Sequence, residues 1–497
     1  MALGMAAIMA AGSMTACGNT TAPAAGGDTG TAATEAPAAT DAAATEAAAG
    51  SGDAAAPADG EGKVLNIYCW NEEFANRLAD HYPGFVKKSD NVTDGGTIGD
   101  VTVNFVVTPS KDNAYQNKLD QTLTKNADAA ADDRIDLFLV EADYALKYVN
   151  TPYTVSITDL GLNVSDFSNQ YKYTQDVMTD SDGNLKGVSW QGCPGVLIYN
   201  RDIATEVLGS DDPDTVQAAV KDWDAFKATA EEMQANGYLM TATVNDAFRV
   251  FSNNMTSPWV DSSNTIKLDK NIETWLQMSK EMVDAKQTTT YDLWSDEWNS
   301  GFYPAGQDAK WVDDEGKEHV IASANKLNPF CYFGPAWMIN FSMKADDPAS
   351  LAAQGKWGAV EGPMGFYWGG TWIAAAAGTD NATLIADIMK QLTANEEIML
   401  DIVEDDNDFV NNKPAMETAA KDDAYAFKVL GGQNPLAMFA AGADKIDLSN
   451  MSAYDQGITE SFQSYMKAYF DGEATYDEAL NNFYSDVATK YPELKHE

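Results

Sequence analysis

Three apolar runs in the first third of the chain each end on side chains able to stack or to hydrogen-bond. The run VLNIYC, Val64–Cys69, leads into Trp70, Asn71, Glu72 and Glu73. A second run over 101–107 is followed by Ser110, Lys111, Asp112 and Asn113, a helix start by its capping residues. A third over 135–140 leads into Glu141, Ala142, Asp143 and Tyr144. Several of the 12 tryptophans stand in loops punctuated by Gly or Pro rather than on helical faces: Trp70, Trp190, Trp337, Trp368 (beside Gly369 and Gly370) and Trp372. Aromatic walls with a few placed polar groups are the chemistry of a small-molecule pocket. Asn71, Glu72, Asn113, Glu141, Asp143, Tyr144 and Tyr454 are the polar and phenolic candidates, with Gln191, Asn253 and the group Trp294, Asp296, Trp298 behind them. Trp223 and Trp275 fall on apolar helical faces and read as core.

Catalytic and metal signatures are weak by comparison. The three histidines, His81, His319 and His496, lie far apart, and neither zinc spacing, GxSxG nor a Walker A sequence occurs. With 75 acidic residues, carboxylate pairs spaced for glycoside hydrolysis arise by chance. Cys17, Cys69, Cys193 and Cys331 show no CxxC spacing, so a disulfide framework is not expected. The net charge of −43 repels phosphates and argues against a nucleic-acid partner and against direct gripping of anionic lipid. No metal or cofactor is expected.

The elements that must position these residues alternate. Strands over 64–69, 101–107 and 135–140 are separated by helices near 72–80 and 112–124, and a helix near 142–149 follows. That order implies an α/β fold with a parallel sheet and right-handed crossovers, on which ligands bind outside the carboxyl ends of the strands. Beyond about residue 202 the pattern turns mostly helical, with amphipathic helices over 222–236 and 271–286. Before residue 63 nothing is foldable: 19–62 has no aromatic residue and is nearly all Ala, Thr, Gly, Pro and acidic residues, a tether with an end-to-end distance of about 35–40 Å. Ahead of it, a short apolar stretch ends in Ser13-Met14-Thr15-Ala16-Cys17-Gly18, which resembles a lipoprotein cleavage and lipidation site, although no Lys or Arg precedes Cys17.

Between 64 and 493 the chain resembles the extracellular solute-binding proteins of ABC sugar importers, the maltose-binding-protein-like family 1. The resemblance rests on an ordered set of segments. Val64–Trp70 is similar to the first strand, and 136–143 (DLFLVEAD) to the third strand with its ligand-facing loop. The segment 195–202 (GVLIYNRD) resembles the crossing to the second lobe, and Trp223 with its helix a family element. Gly334-Pro335-Ala336-Trp337 resembles a stacking loop, and Gly369-Gly370-Thr371-Trp372 the return crossing. The segments 451–454 (MSAY) and 474–480 (ATYDEAL) resemble the last helices.

The resemblance implies a two-lobed periplasmic-binding-protein-like fold (type II) with the ligand in a cleft between lobes joined by several crossings. The expected organisation is a signal over 1–17 ending at lipidated Cys17 and a tether over 18–62. Lobe 1 follows over 63–192 and about 365–410, lobe 2 over about 196–362 and about 411–497. It further implies a monomer that captures a sugar, closes by hinge motion and docks on an ABC permease whose ATPase is a separate chain. The membrane contact would be the lipid anchor alone, at the extracellular face of the cytoplasmic membrane. A sugar ring has apolar C–H faces for the tryptophans and a rim of hydroxyls for the carboxylates and amides. A polyamine or another small cation is the alternative ligand, and an extracellular glycoside hydrolase a weaker one.

Overall fold

The structure, a computed structural model, describes residues 62–313 and 317–496. The expected signal with Cys17 and nearly all of the 18–62 tether lie outside the described residues.

Two sheets organise the chain. In the first, Val64–Cys69 lies parallel to Val101–Val107 on one side and to Leu137–Glu141 on the other. Thr371–Ala375 then runs antiparallel to Leu137–Glu141, and Gly187–Ser189 pairs with its far edge. The two inner parallel strands are buried on both faces; Leu65, Ile67, Leu137, Phe138 and Val140 are 0% exposed. Such strands need helices on both sides. Helix Glu73–His81 follows the first strand and helix Ala114–Leu123 the second. The third expected helix is shorter, Ala145–Val149, because a turn at 142–144 carries the chain across the rim first.

The second sheet has the order Trp357–Val360, Pro194–Asn200, Pro329–Gly334, Leu239–Thr241. Phe366–Tyr367 also pairs with Pro194–Gly195. A lobe boundary near 365 would give this strand to the first lobe, whereas its hydrogen bonds join it to the second sheet. Around that sheet pack helices Trp223–Ala235, capped by the Asp222 carboxylate, and Lys270–Asp284, capped by Asp269. The helices Asp455–Phe470 and Tyr476–Lys490 form an antiparallel pair, the second opened by a capping box of Thr475 and Glu478. Trp275 is 0% exposed, and Trp223 stacks on Phe251 with centroids 4.2 Å apart.

The chain passes between the sheets three times, at 190–194, 368–370 and 408–411, and the three passages bond to one another. Trp368 N–H donates to Cys193 O at 3.1 Å, Gly192 N–H to Phe409 O at 3.0 Å, and Asn411 N–H to Trp190 O at 2.7 Å. Gly370 takes φ +109° there, a conformation that side-chain-bearing residues avoid. Cys69, Cys193 and Cys331 are free and buried, small hydrophobes in use. Among the described residues no helix is long and apolar enough to cross a membrane.

Candidate interlobe binding site

The carboxyl ends of the first sheet's strands face the second sheet across a cleft with a cavity volume of about 170 Å³. One ordered water needs roughly 10–15 Å³ on this measure, so the space suits a ligand. The first lobe contributes Trp70, Ser110, Asn113, Gln116, Glu141, Asp143 and Tyr144. All follow a strand end or open the next helix, as the βα architecture requires.

The second lobe supplies the opposite wall. Trp294, Trp337 and Trp368 form an aromatic corner, with centroids 6.2 Å apart for Trp294–Trp337, 5.8 Å for Trp294–Trp368 and 5.3 Å for Trp337–Trp368. Trp337 Nε1 donates to Trp368 O at 3.0 Å, which locks the corner's rotamers. Trp294 adopts φ +69°, an unfavourable backbone for a bulky residue, whereas Asn113 at +57° on the facing rim is of a type that takes this conformation readily. Strained backbone of this kind concentrates at ligand sites. On the first lobe, Trp70 and Tyr144 meet edge to face at 6.4 Å.

One ion pair crosses the cleft. Arg249 Nη1 donates to Asp143 Oδ1 at 2.6 Å, and Nη2 to Oδ2 at 2.5 Å. Asp143 sits at the end of a first-sheet strand and Arg249 on helix Phe248–Ser252 of the second lobe. The guanidinium lies over the Trp368 ring, 5.3 Å from its centroid. Beside the pair, Glu141 Oε2 accepts from Asp143 N–H at 2.8 Å. Burial, then the neighbouring Asp143 charge, pushes the Glu141 carboxyl up to about 8, against the lowering pull of Arg249. Burial likewise raises Asp455 to about 7, although Ser452 bonds hold its charged form. Tyr144 lines this cavity, and its hydroxyl, in a residue only 7% exposed, is buried without a hydrogen-bond partner. A buried donor left unpaired costs free energy.

Of the sequence candidates, Trp70, Asn113, Glu141, Asp143, Tyr144, Trp337, Trp368 and Gly369 line the cleft, with Asn253 and Trp294. The others lie elsewhere. Asn71 Oδ1 accepts from Glu73 N–H at 3.1 Å, and Glu72 stands at the N-cap of helix Glu73–His81. Trp190 is 0% exposed against Phe74, and Gly370 belongs to the hinge. Trp372 is buried with Nε1 donating to Thr174 O at 2.8 Å, because alternation along Thr371–Ala375 turns its ring into the core. Tyr454 packs on Tyr491 and bonds Glu493 at 3.1 Å. Gln191 bonds Glu73 and Asp408 in the hinge, Trp298 donates to Asp246 inside the second lobe, and Asp296 pairs with His319.

Sequence reasoning missed Arg249, Tyr367 and the cleft-facing side of helix Asp455–Phe470: Asp455, Gln456, Thr459, Glu460 and Gln463. Their spacing of three and four residues is a polar stripe at helical period, legible as one face but indistinguishable from a solvent face.

Two lobes, a three-passage hinge and a lined cleft define a two-lobed binding-protein fold of the periplasmic type. Solved structures share it. A family 1 extracellular solute-binding protein superposes with TM-score 0.65 at 15% identity, covering 86% of this chain and 99% of that one. An ABC-transporter-associated binding protein from B. animalis subsp. lactis, in complex with β-1,6-galactobiose, gives 0.60 at 17%, covering 88% and 99%. The galacto-N-biose/lacto-N-biose I-binding protein of Bifidobacterium longum, in complex with lacto-N-biose, gives 0.60 at 12%, covering 88% and 100%. No curated protein sequence matches the chain. The profile of the bacterial extracellular solute-binding proteins matches residues 96–429, and the chain belongs to that family.

Proposed function

We propose that this protein binds a mono- or oligosaccharide in the interlobe cleft and delivers it to an ABC permease served by a separate ATPase. It is a monomeric binding protein rather than an enzyme, held at the outer face of the cytoplasmic membrane by a lipid on Cys17 and needing no cofactor. The observation that carries the reading is the facing of aromatic surfaces from both lobes, Trp70 and Tyr144 against Trp294, Trp337 and Trp368, with carboxylates and amides between them. Flat apolar faces beside hydroxyl-binding groups suit a pyranose. The sugars bound by the similar structures from B. animalis subsp. lactis and B. longum support the same ligand class. The segment ending in Cys17-Gly18 supports the anchor. A cleft lined by more carboxylates than cations favours a second reading, a polyamine.

A thermal-shift screen of the full chain against mono- and oligosaccharides, with spermidine and putrescine included, tests both. A ligand at about 100 times its Kd adds roughly 2.7 kcal/mol of stability. A sugar that raises the melt and is recovered intact supports the reading. A response to polyamines alone transfers the site to the second reading, and cleavage of the sugar refutes a pure binding role.

A further inference from the structure

The charge inside the cleft says more about the ligand than its aromatic walls do. Six carboxylates line the cavity, Glu141 and Asp143 from the first lobe and Asp292, Asp447, Asp455 and Glu460 from the second, against a single cation, Arg249. That cation is already committed. Both of its Nη atoms bond Asp143, and its flat face covers Trp368. It has no free fork for a ligand carboxylate or phosphate.

Two lysines that act on these carboxylates are engaged too. Lys490, which acts on Glu460, pairs with Asp486 at 3.0 Å. Lys467, which acts on Asp292, pairs with Asp471 at 2.6 Å. Glu141, Asp455 and Glu460 therefore lie within electrostatic reach of Asp143 in a lining whose one cation is already bound to it, and Asp143 raises the carboxyls of all three. Burial first, and then the Asp143 charge, pushes Glu141 up to about 8 and Asp455 up to about 7. The Tyr144 hydroxyl close to Glu141 is buried without a hydrogen-bond partner as well.

Resting on the saccharide reading, we infer that the sugar this cleft selects carries a protonated amine, seated among Glu141, Asp455 and Glu460, and that acidic sugars are excluded. An ammonium supplies donors and counter-charge at once, and charge-assisted bonds of this kind are about twice as strong as neutral ones. A uronate would bring another negative charge into a site with no cation to meet it.

The test is calorimetric titration of the full chain with matched triplets: glucose, glucosamine and glucuronate, then the galactose and mannose series. Deacetylated chitobiose, its diacetyl form and cellobiose extend the set to disaccharides. At least one amino sugar should bind tenfold or more tightly than its neutral twin, with no binding of the uronates. That preference should shrink in 0.5 M salt, and in Glu460→Gln and Glu141→Gln the ratio of amino-sugar to neutral-twin affinity should fall toward one. A neutral sugar bound as tightly as its amino twin, or a bound uronate, overturns this inference and leaves the saccharide reading standing. Binding of spermidine with no saccharide, or of nothing in the set, overturns both.

Discussion

Asp143→Asn should open the empty protein. The substitution keeps the side chain's shape but removes the charge that Arg249 grips from the opposite lobe. The two side chains are 27% and 23% exposed, so water screens the pair only in part. Hydrogen bonds to charged groups contribute about 1.5–3 kcal/mol. Taking about 2 kcal/mol for a pair still reached by solvent, the closed-to-open ratio falls about 30-fold, at 1.36 kcal/mol per factor of ten. Because apparent affinity scales with the fraction in the competent form, ligand binding weakens by up to the same factor. Small-angle scattering without ligand measures the effect directly, as a larger radius of gyration in Asp143→Asn than in the wild type. Arg249→Met should open the lobes in the same way. Superimposable scattering curves for wild type and both variants would refute the reasoning.

Other expectations follow from burial and charge. Glu141 at about 8 and Glu73, Asp246 and Asp455 at about 7 are all raised chiefly by burial. The folded chain thus keeps protons that the unfolded chain releases near pH 4–4.5, and stability falls as pH rises from about 5 to 8. The melting temperature should be higher at pH 5 than at pH 8, and Glu141→Gln should flatten the upper part of that slope. Trp294→Ala should weaken ligand binding about tenfold by titration with little change in melting, since the ring is only partly buried and its backbone is strained. Trp372→Ala should do the reverse, costing about 3–5 kcal/mol in denaturant unfolding while the folded fraction binds normally. Gly370→Ala should slow lobe closure in stopped-flow fluorescence, because a Cβ there sits 3.3 Å from the Trp372 ring on a backbone at φ +109°.

The sheet framework was legible because parallel strands buried on both faces must be nearly all apolar, as 64–69 is apart from Asn66 and 137–140 is throughout. The rule that ligands sit at strand carboxyl ends then placed Trp70, Glu141, Asp143 and Tyr144 on the cleft without further information. Loop punctuation was a poorer guide to tryptophan. Gly and Pro mark where the chain turns, not where an indole points, so Trp337 and Trp368 face the cleft while Trp190 and Trp372 fill the core. Arg249 stayed hidden because its partner lies 106 residues away on the other lobe. The polar face of Asp455–Phe470 stayed hidden because local periodicity does not distinguish a cleft from bulk water.

The three passages through the hinge also govern the order in which the molecule can be built. The second sheet draws all its strands from 194–367, an unbroken stretch, and can form as soon as that stretch is available. The first sheet cannot be completed so early, because Thr371–Ala375 lies between Leu137–Glu141 and Gly187–Ser189, so that far edge has no partner until residue 375 arrives. The far edge of the N-terminal lobe therefore waits for the second sheet's stretch to be made, and no single cut yields either lobe whole. Pulsed hydrogen exchange during refolding should protect 196–200 and 331–334 before 187–189; simultaneous protection would mean that the two sheets assemble as one unit.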